Sequence, residues 1–244
     1  MAAVSVIIPT HNRWQLLMKA VASVMAQTMP DWELIISDDG STDETPMLAA
    51  DLARQDQRIS VVRSEKNRGV AWAIRQGMEA ATAKRFAFLS DDDEYRPTYL
   101  ETLYTALDAN PGHDMVYAGV WVEFWDTIFG GRAGQANEMP LAYPDELPHR
   151  NVVWGFMAER SMYDALGGWP TRFRIANDWD FFLTAYASGM RMLRITDPLY
   201  VYRYWTGGHT FTDRRLQLDE SESIRQLYMT GMMDVRKGLP TYGW

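Results

Sequence analysis

Between Val4 and Ser90, four short apolar runs alternate with three segments of helical period. That alternation constrains the fold more than any other feature. Val4 to Ile8 is a β-branched run closed by Pro9, the composition of a buried strand. Leu17, Ala20, Val21 and Val24 recur at helical spacing, so a helix is expected over roughly Trp14 to Ala26. Glu33 to Ser37 reads as a second strand. Ser41 and Glu44 stand at capping-box spacing after Gly40, and the helix they open is expected to run towards Gln57. Ile59 to Arg63 is a third strand, Val70 to Ala83 a third helix and Phe86 to Ser90 a fourth strand. Strands joined through helices make a mainly parallel sheet with helices on both faces, an α/β fold.

After Pro97 a helix is expected to about Ala109. Val116, Ala118, Val120, Val122 and Phe124 then alternate with other side chains, a half-buried strand over Met115 to Trp125. Asp126 to Arg150 carries Gly, Pro and Ala without a clear period, and a loop of that length is usually functional or mobile. Helices are expected near Glu159 to Leu166, Asp178 to Ser188 and Leu216 to Met233, with a strand over Tyr200 to Tyr204. Seven of the ten tryptophans lie beyond residue 120, so the second half reads as a surface built with large flat side chains.

The formal net charge is -8 and no block of Lys or Arg stands out, which argues against nucleic acid as a partner. With no cysteine, disulfides, zinc-thiolate sites and cysteine nucleophiles are excluded. The apolar start has no basic stretch before it and runs into His11-Asn12-Arg13. Neither a signal peptide nor a membrane-spanning segment is therefore expected. The expected location is the cytoplasm, at most peripheral at the inner face of the membrane.

In an open parallel sheet, ligands bind beyond the carboxyl ends of the strands. The four expected strands exit into Thr10-His11-Asn12-Arg13, Asp38-Asp39-Gly40-Ser41, Ser64 to Gly69, and Asp91-Asp92-Asp93-Glu94. Every exit is polar, and two carry clustered carboxylates. Like charges so placed call for a cation, and a hard divalent metal suits oxygen ligands. No G-x-G-x-x-G follows the first strand, which disfavours a Rossmann dinucleotide site, and the P-loop pattern is absent.

Ser5 to Arg13, Asp38 to Asp43, Asn67-Arg68-Gly69 and Leu89 to Asp93, taken in order, resemble the signature of family 2 inverting glycosyltransferases. Gly167-Gly168-Trp169 and Asn177-Asp178-Trp179-Asp180 resemble two later segments of that family, and the resemblance covers roughly residues 4 to 210. It implies a GT-A-type nucleotide-binding sandwich. Residues 1–212 would form one catalytic domain, with 1–96 binding the nucleotide sugar, 97–212 binding the acceptor, and 213–244 a C-terminal helix and tail. The implied reaction passes a sugar from a nucleoside-diphosphate sugar, a UDP-sugar foremost, to a glycan, lipid-linked or protein acceptor, with Mn²⁺ or Mg²⁺.

The resemblance also implies roles residue by residue. Asp39 would accept from the nucleobase, with Thr10, Asn12, Arg13, Asp38, Asn67, Arg68, Gly69 and Asp91 around the nucleotide. Asp92 is the expected metal ligand, supported by Asp93 and by His209. Asp178 would be the general base, and Trp154, Gly168, Trp169 and Asn177 would face the acceptor. From the residues alone other readings stand beside these. Asp38-Asp39-Gly40 makes a turn, Asp178 complements a helix dipole behind Asn177 as N-cap, and the tryptophans fill a core. Ser90 stands where many relatives have the first acidic metal ligand, and Trp205 where they often have a histidine. Those departures support a rival, a non-catalytic sugar-nucleotide-binding module. A sugar nucleotidyltransferase is the weaker rival, because it wants a glycine-rich basic loop after the first strand.

Overall fold

The computed structural model describes residues 2–127, 131–132, 137–139, 155–205, 208 and 213–229. Strand β1 (Val4–Thr10) lies between β2 (Trp32–Asp38) and β4 (Arg85–Phe88), parallel to both, and β3 (Ile59–Arg63) adds to β2 in parallel. Helices α1 (Trp14–Met25), α2 (Thr45–Gln55) and α3 (Val70–Ala80) make the crossovers. All of β1 is buried, which is why its sequence is mainly apolar rather than alternating, with Ser5 satisfied by Glu33. The α/β class and the first four strands are as expected.

The second half contributes β5 (Glu94–Tyr95), α4 (Tyr99–Ala109), β6 (Met115–Thr127), β7 (Gly131–Arg132), β8 (Asn137–Met139) and β9 (Phe156–Glu159). Then follow α5 (Arg160–Ala165), α6 (Asn177–Ala187), β10 (Met192–Trp205) and α7 (Arg214–Met229). The strand order is β3-β2-β1-β4-β9-β6-β10-β5, with β7 and β8 paired to β6. Strand β9 runs antiparallel to both β4 and β6, whereas β10 runs parallel to β6. The sheet is therefore mixed.

Three local expectations change. The four residues of β9 are too few to show a period, yet they join the two halves of the sheet. In β6, Met115 to Val120 is buried on both faces, and alternation appears only from Trp121 onward, because the strand begins in mid-sheet. Ser41 does not open a capping box: its hydroxyl accepts the Asn12 N–H (2.9 Å), while Asp43 Oδ1 accepts the Thr45 N–H (3.0 Å) at the start of α2. Most of the loop 126–150, with its expected mobility, lies outside the described residues, as do Trp154 and His209.

A side chain at Gly119 would run into the carbonyls of Thr196 and Asp197, so this glycine admits the irregularity by which β10 passes β6 around Pro198. Helix α7 belongs to the same core, with Ile224 fully buried within it. No described helix is long and apolar enough to cross a membrane.

Gly40 sets how closely two strand exits approach. Its φ is +73°, and a Cβ there would stand 2.6 Å from the Lys66 carbonyl carbon and 2.8 Å from the Asn67 nitrogen. Gly40→Ala combines left-handed strain with a backbone clash, and should cost at least about 2 kcal/mol. Urea unfolding measures it; a midpoint equal to wild type would show that the loops part freely.

Candidate functional site

The exits of β1, β2, β3 and β4 meet the end of β10 and the start of α6 around a cleft of about 350 Å³. Its walls include Thr10, Arg13, Asp39, Asn67, Gly69, Asp91, Asp92, Arg174, Asn177 and Trp205. This is the rim where a parallel sheet presents its ligand.

The acidic turn after β4 is the most connected part of the site. Asp91 accepts from the Thr10 hydroxyl (2.8 Å) and from Arg13 Nη1 (3.3 Å). Asp92 accepts from Ser90 Oγ (2.7 Å), Trp205 Nε1 (3.2 Å) and the same Arg13 nitrogen (3.3 Å). Asp93 accepts from the Tyr200 hydroxyl (2.7 Å) and the Arg203 N–H (2.9 Å). Arg203 also pairs with Glu94. Burial, reinforced by Asp92, pushes the Asp91 carboxyl up to about 6 against the pull of Arg13 and Thr10. Burial raises Asp93 well above the usual carboxylate range, again with Asp92 adding to it. For Arg13, burial opposes the charge, but Asp91 and Asp92 outweigh it and raise its pKa.

Asp39 is 3% exposed, and its carboxylate accepts from the backbone N–H groups of Arg68 (2.9 and 3.0 Å) and Gly69 (2.7 Å). An ionised carboxylate has about four acceptor positions, so one further donor can be taken. Asn67 Oδ1 accepts the Gly69 N–H at 3.0 Å and fastens the same loop.

Several expected site residues have other work. Asp38 is fully buried: one oxygen accepts the Ser41 N–H (2.9 Å), and the other faces Arg63 Nε at 3.1 Å without hydrogen-bond alignment. It shapes the turn and does not line the cleft. Asn12, at φ 54°, ties the exits of β1 and β2 through Oδ1, which accepts the Thr42 N–H at 2.7 Å. The Arg68 guanidinium lies 4.0 Å over the Trp72 ring instead of turning to the cleft. Asp93 is 1% exposed and held on both oxygens by β10, whereas Asp92, whose oxygens also accept hydrogen bonds, keeps a side chain 13% exposed. Asp92 is therefore the more accessible ligand of the two.

On the acceptor side, Trp169 is 1% exposed and packs on Phe181 with ring centroids 4.4 Å apart. It is core and presents no face to a sugar. Trp179 is equally buried, so the aromatic second half is partly interior. Gly168 makes a turn at φ +91° against Tyr163 and Arg75, away from the cleft lining. Asn177 lines the cleft, but its Oδ1 accepts from Trp169 Nε1 at 2.7 Å. It is the first residue of α6, and Ala176 occupies the N-cap. Asp178 is 2% exposed in that first turn and is not among the described lining residues. Asp180, fully buried, pairs with Arg172 and has a structural part. His11, Arg174, Tyr202, Tyr204 and Gly208 line the cleft without having been singled out for it. Only the placement of His11 beside Thr10 at a strand exit was a usable signal.

A family model described as Glycosyl transferase family 2 matches residues 5–192. Over 212 residues the chain is 31% identical to EpsH of Bacillus subtilis (strain 168), a provisionally assigned glycosyltransferase, covering 82% of this chain and 60% of EpsH. The chain therefore spans less than two thirds of that relative's length. Among solved structures, S. aureus TarS 1-349 in complex with UDP-GlcNAc superposes with a TM-score of 0.71 at 17% identity, covering 98% of this chain and 74% of that one. The mannosyltransferase PcManGT from Pyrobaculum calidifontis, in complex with GDP-Man and Mn²⁺, gives 0.67 at 20% identity, covering 95% and 64%. At these identities the two structures establish the GT-A fold.

The buried side of the acidic turn can be tested apart from any ligand. Tyr200→Phe removes a donor from Asp93 and should destabilise by about 1–3 kcal/mol. Asp93 has a raised folded pKa, so its favourable contribution is complete below the unfolded carboxylate value and is lost as pH climbs towards the folded one. Removing the hydroxyl raises that folded value further, and the deficit should be larger at pH 8 than at pH 4. Thermal unfolding at both pH values measures it, and a deficit largest at pH 4 would contradict the assignment.

Proposed function

Because the chain belongs to glycosyl transferase family 2, we propose that it moves a sugar from a nucleoside-diphosphate sugar to an acceptor hydroxyl, inverting the anomeric carbon. A UDP-sugar is the first choice of donor, and the acceptor is a glycan, a lipid-linked glycan or a protein. One observation carries the reading. Asp39, the pair Asp91 and Asp92, and the start of α6 all border one cleft, although they come from distant parts of the chain.

Among the described residues no three acidic or imidazole side chains converge to hold a cation by themselves. A smaller set fits. Mg²⁺ and Mn²⁺ are commonly held by one or two carboxylates and completed by substrate phosphates. Asp92, whose side chain is 13% exposed, and Asp91 beside it would serve. The local charges agree: among the described residues, the ion pairs of the carboxylates Asp91 to Glu94 are made with two arginines, Arg13 and Arg203. A bound Mn²⁺ or Mg²⁺ would neutralise charge building on the leaving diphosphate.

Asp39 would take the nucleobase N–H with its remaining acceptor position, with Thr10, Asn67 and Gly69 lining that end. In the transfer step the acceptor oxygen bonds to the anomeric carbon and its proton passes to Asp178. The bond from that carbon to the diphosphate oxygen breaks, and the nucleoside diphosphate leaves with the electron pair. Asp178 is assigned as the base because its segment resembles the family's, while Asp180 is committed to Arg172. Ser90 and Trp205, the departures that favoured a non-catalytic module, both donate to Asp92 and so orient it. The exit of β1 has no glycine, which disfavours a nucleotidyltransferase.

Calorimetry should find UDP binding tightly only with Mn²⁺ or Mg²⁺, and Asp92→Ala should abolish that enhancement; equal affinity in EDTA would remove the metal from the reading. Asp178→Asn keeps size but not basicity. Donor affinity should be nearly unchanged while transfer falls at least about a hundredfold, as expected on loss of a positioned general base. Wild-type transfer by this variant would end the assignment.

A further inference from the structure

The chain entering α6 lacks the usual means of closing a helix start. Ala176 stands at the N-cap, where Ser, Thr, Asp or Asn would offer a side-chain acceptor. The three amides just ahead of the helix converge instead on one distant carboxylate. Glu220 Oε1 accepts the Arg174 N–H (2.9 Å), and Oε2 accepts those of Ile175 (2.8 Å) and Ala176 (3.0 Å). Hydrogen bonds to an ionised acceptor are stronger than neutral ones, and three on one group fix the backbone's path.

The segment so held is part of the cleft. Arg174, Ile175 and Asn177 line it, and Asp178 follows in the same turn. Glu220 itself is carried by α7, which is anchored on α6 and the core. Ile224 is fully buried, Tyr228 meets the Tyr186 ring at 6.5 Å, and the Arg225 guanidinium lies 5.4 Å from the Trp179 ring. The family match ends at residue 192, so this carboxylate comes from a part of the chain beyond the matched region.

We infer that Glu220 is a positioning residue, through which the C-terminal helix sets the wall of the cleft made by Arg174 and Ile175 and the placement of Asp178. The inference rests on the reading of the cleft as a glycosyl-transfer site. A residue serving stability alone would lower the melting temperature and leave the kinetic constants of the folded enzyme as they were. A positioning residue acts differently, because a shift of about 1 Å in a reacting group can cost about a hundredfold in rate.

The test compares Glu220→Ala and Glu220→Gln with wild type in the full chain, well below the melting temperature of each. Three quantities are read: hydrogen exchange at the amides of residues 174–176, the affinity for UDP with Mn²⁺, and kcat for UDP release. The donor is whichever of UDP-glucose, UDP-galactose or UDP-N-acetylglucosamine the wild type turns over fastest. In Glu220→Ala, exchange at the three amides should quicken at least about tenfold. Its kcat should fall at least about tenfold while UDP affinity stays within about twofold. Glu220→Gln, which keeps one acceptor oxygen, should lie between. Unchanged exchange in the alanine variant, or a wild-type kcat, would overturn the inference, as would UDP affinity falling in step with kcat. If the wild-type chain released UDP from none of the donors, the transferase reading would fail, while the exchange measurement would still decide whether Glu220 holds this segment.

Discussion

Three consecutive carboxylates at the end of β4 are withdrawn from water, and the cleft is organised by the way their charge is met. Asp91 is answered from β1 and its exit by Thr10 and Arg13, Asp92 by Ser90 and Trp205, and Asp93 from β10 by Tyr200 and Arg203. Buried charges persist only when paired and hydrogen-bonded. The partners come from β1 and its exit, from the turn itself and from β10, so the turn binds the first half of the sheet to its last long strand.

That coupling explains the mixed sheet. The parallel half brings the exits of β1 to β4 to one rim, the side on which open parallel sheets take their ligands. A second wall requires residues from later in the chain, and β9, antiparallel to β4, carries the sheet across to β6 and β10. Helix α6 then enters the rim from the far side. Its buried Asp180–Arg172 pair and the packing of Trp169 on Phe181 hold its first turn against the core.

Much of this was legible residue by residue. The runs of β1, β2 and β4 announced themselves because strands buried on both faces are dominated by apolar side chains, and the edge strand β3 because Ile59, Val61 and Val62 are β-branched. The acidic turn stood out because three aspartates directly after a buried strand have an electrostatic cost that a surface loop does not. Other features were hidden for physical reasons. A four-residue strand such as β9 contains no measurable period, and burial of Met115 to Val120 on both faces erased the alternation expected there. Ser41 had the spacing of a capping box, yet a hydrogen bond to Asn12, remote in sequence, won its hydroxyl.

The residues of the site divide along the same line. Local pattern by itself determined that polar groups would gather at the carboxyl ends of the strands, because chain direction and strand period place them there. It also determined which carboxylates stand together, since Asp91 to Asp93 are neighbours in the chain. Only the tertiary structure decided which of those groups keep an open acceptor. Asp38 is turned away from the cleft and Asp93, at its wall, is held by Tyr200 and Arg203, whereas Asp39 keeps an acceptor position and Asp92 the more exposed side chain there. It alone turned Trp169 inward and brought Glu220 to the amides ahead of α6. The reason is general: a polar group's availability depends on every neighbour within hydrogen-bond reach, and most of those neighbours are far away along the chain.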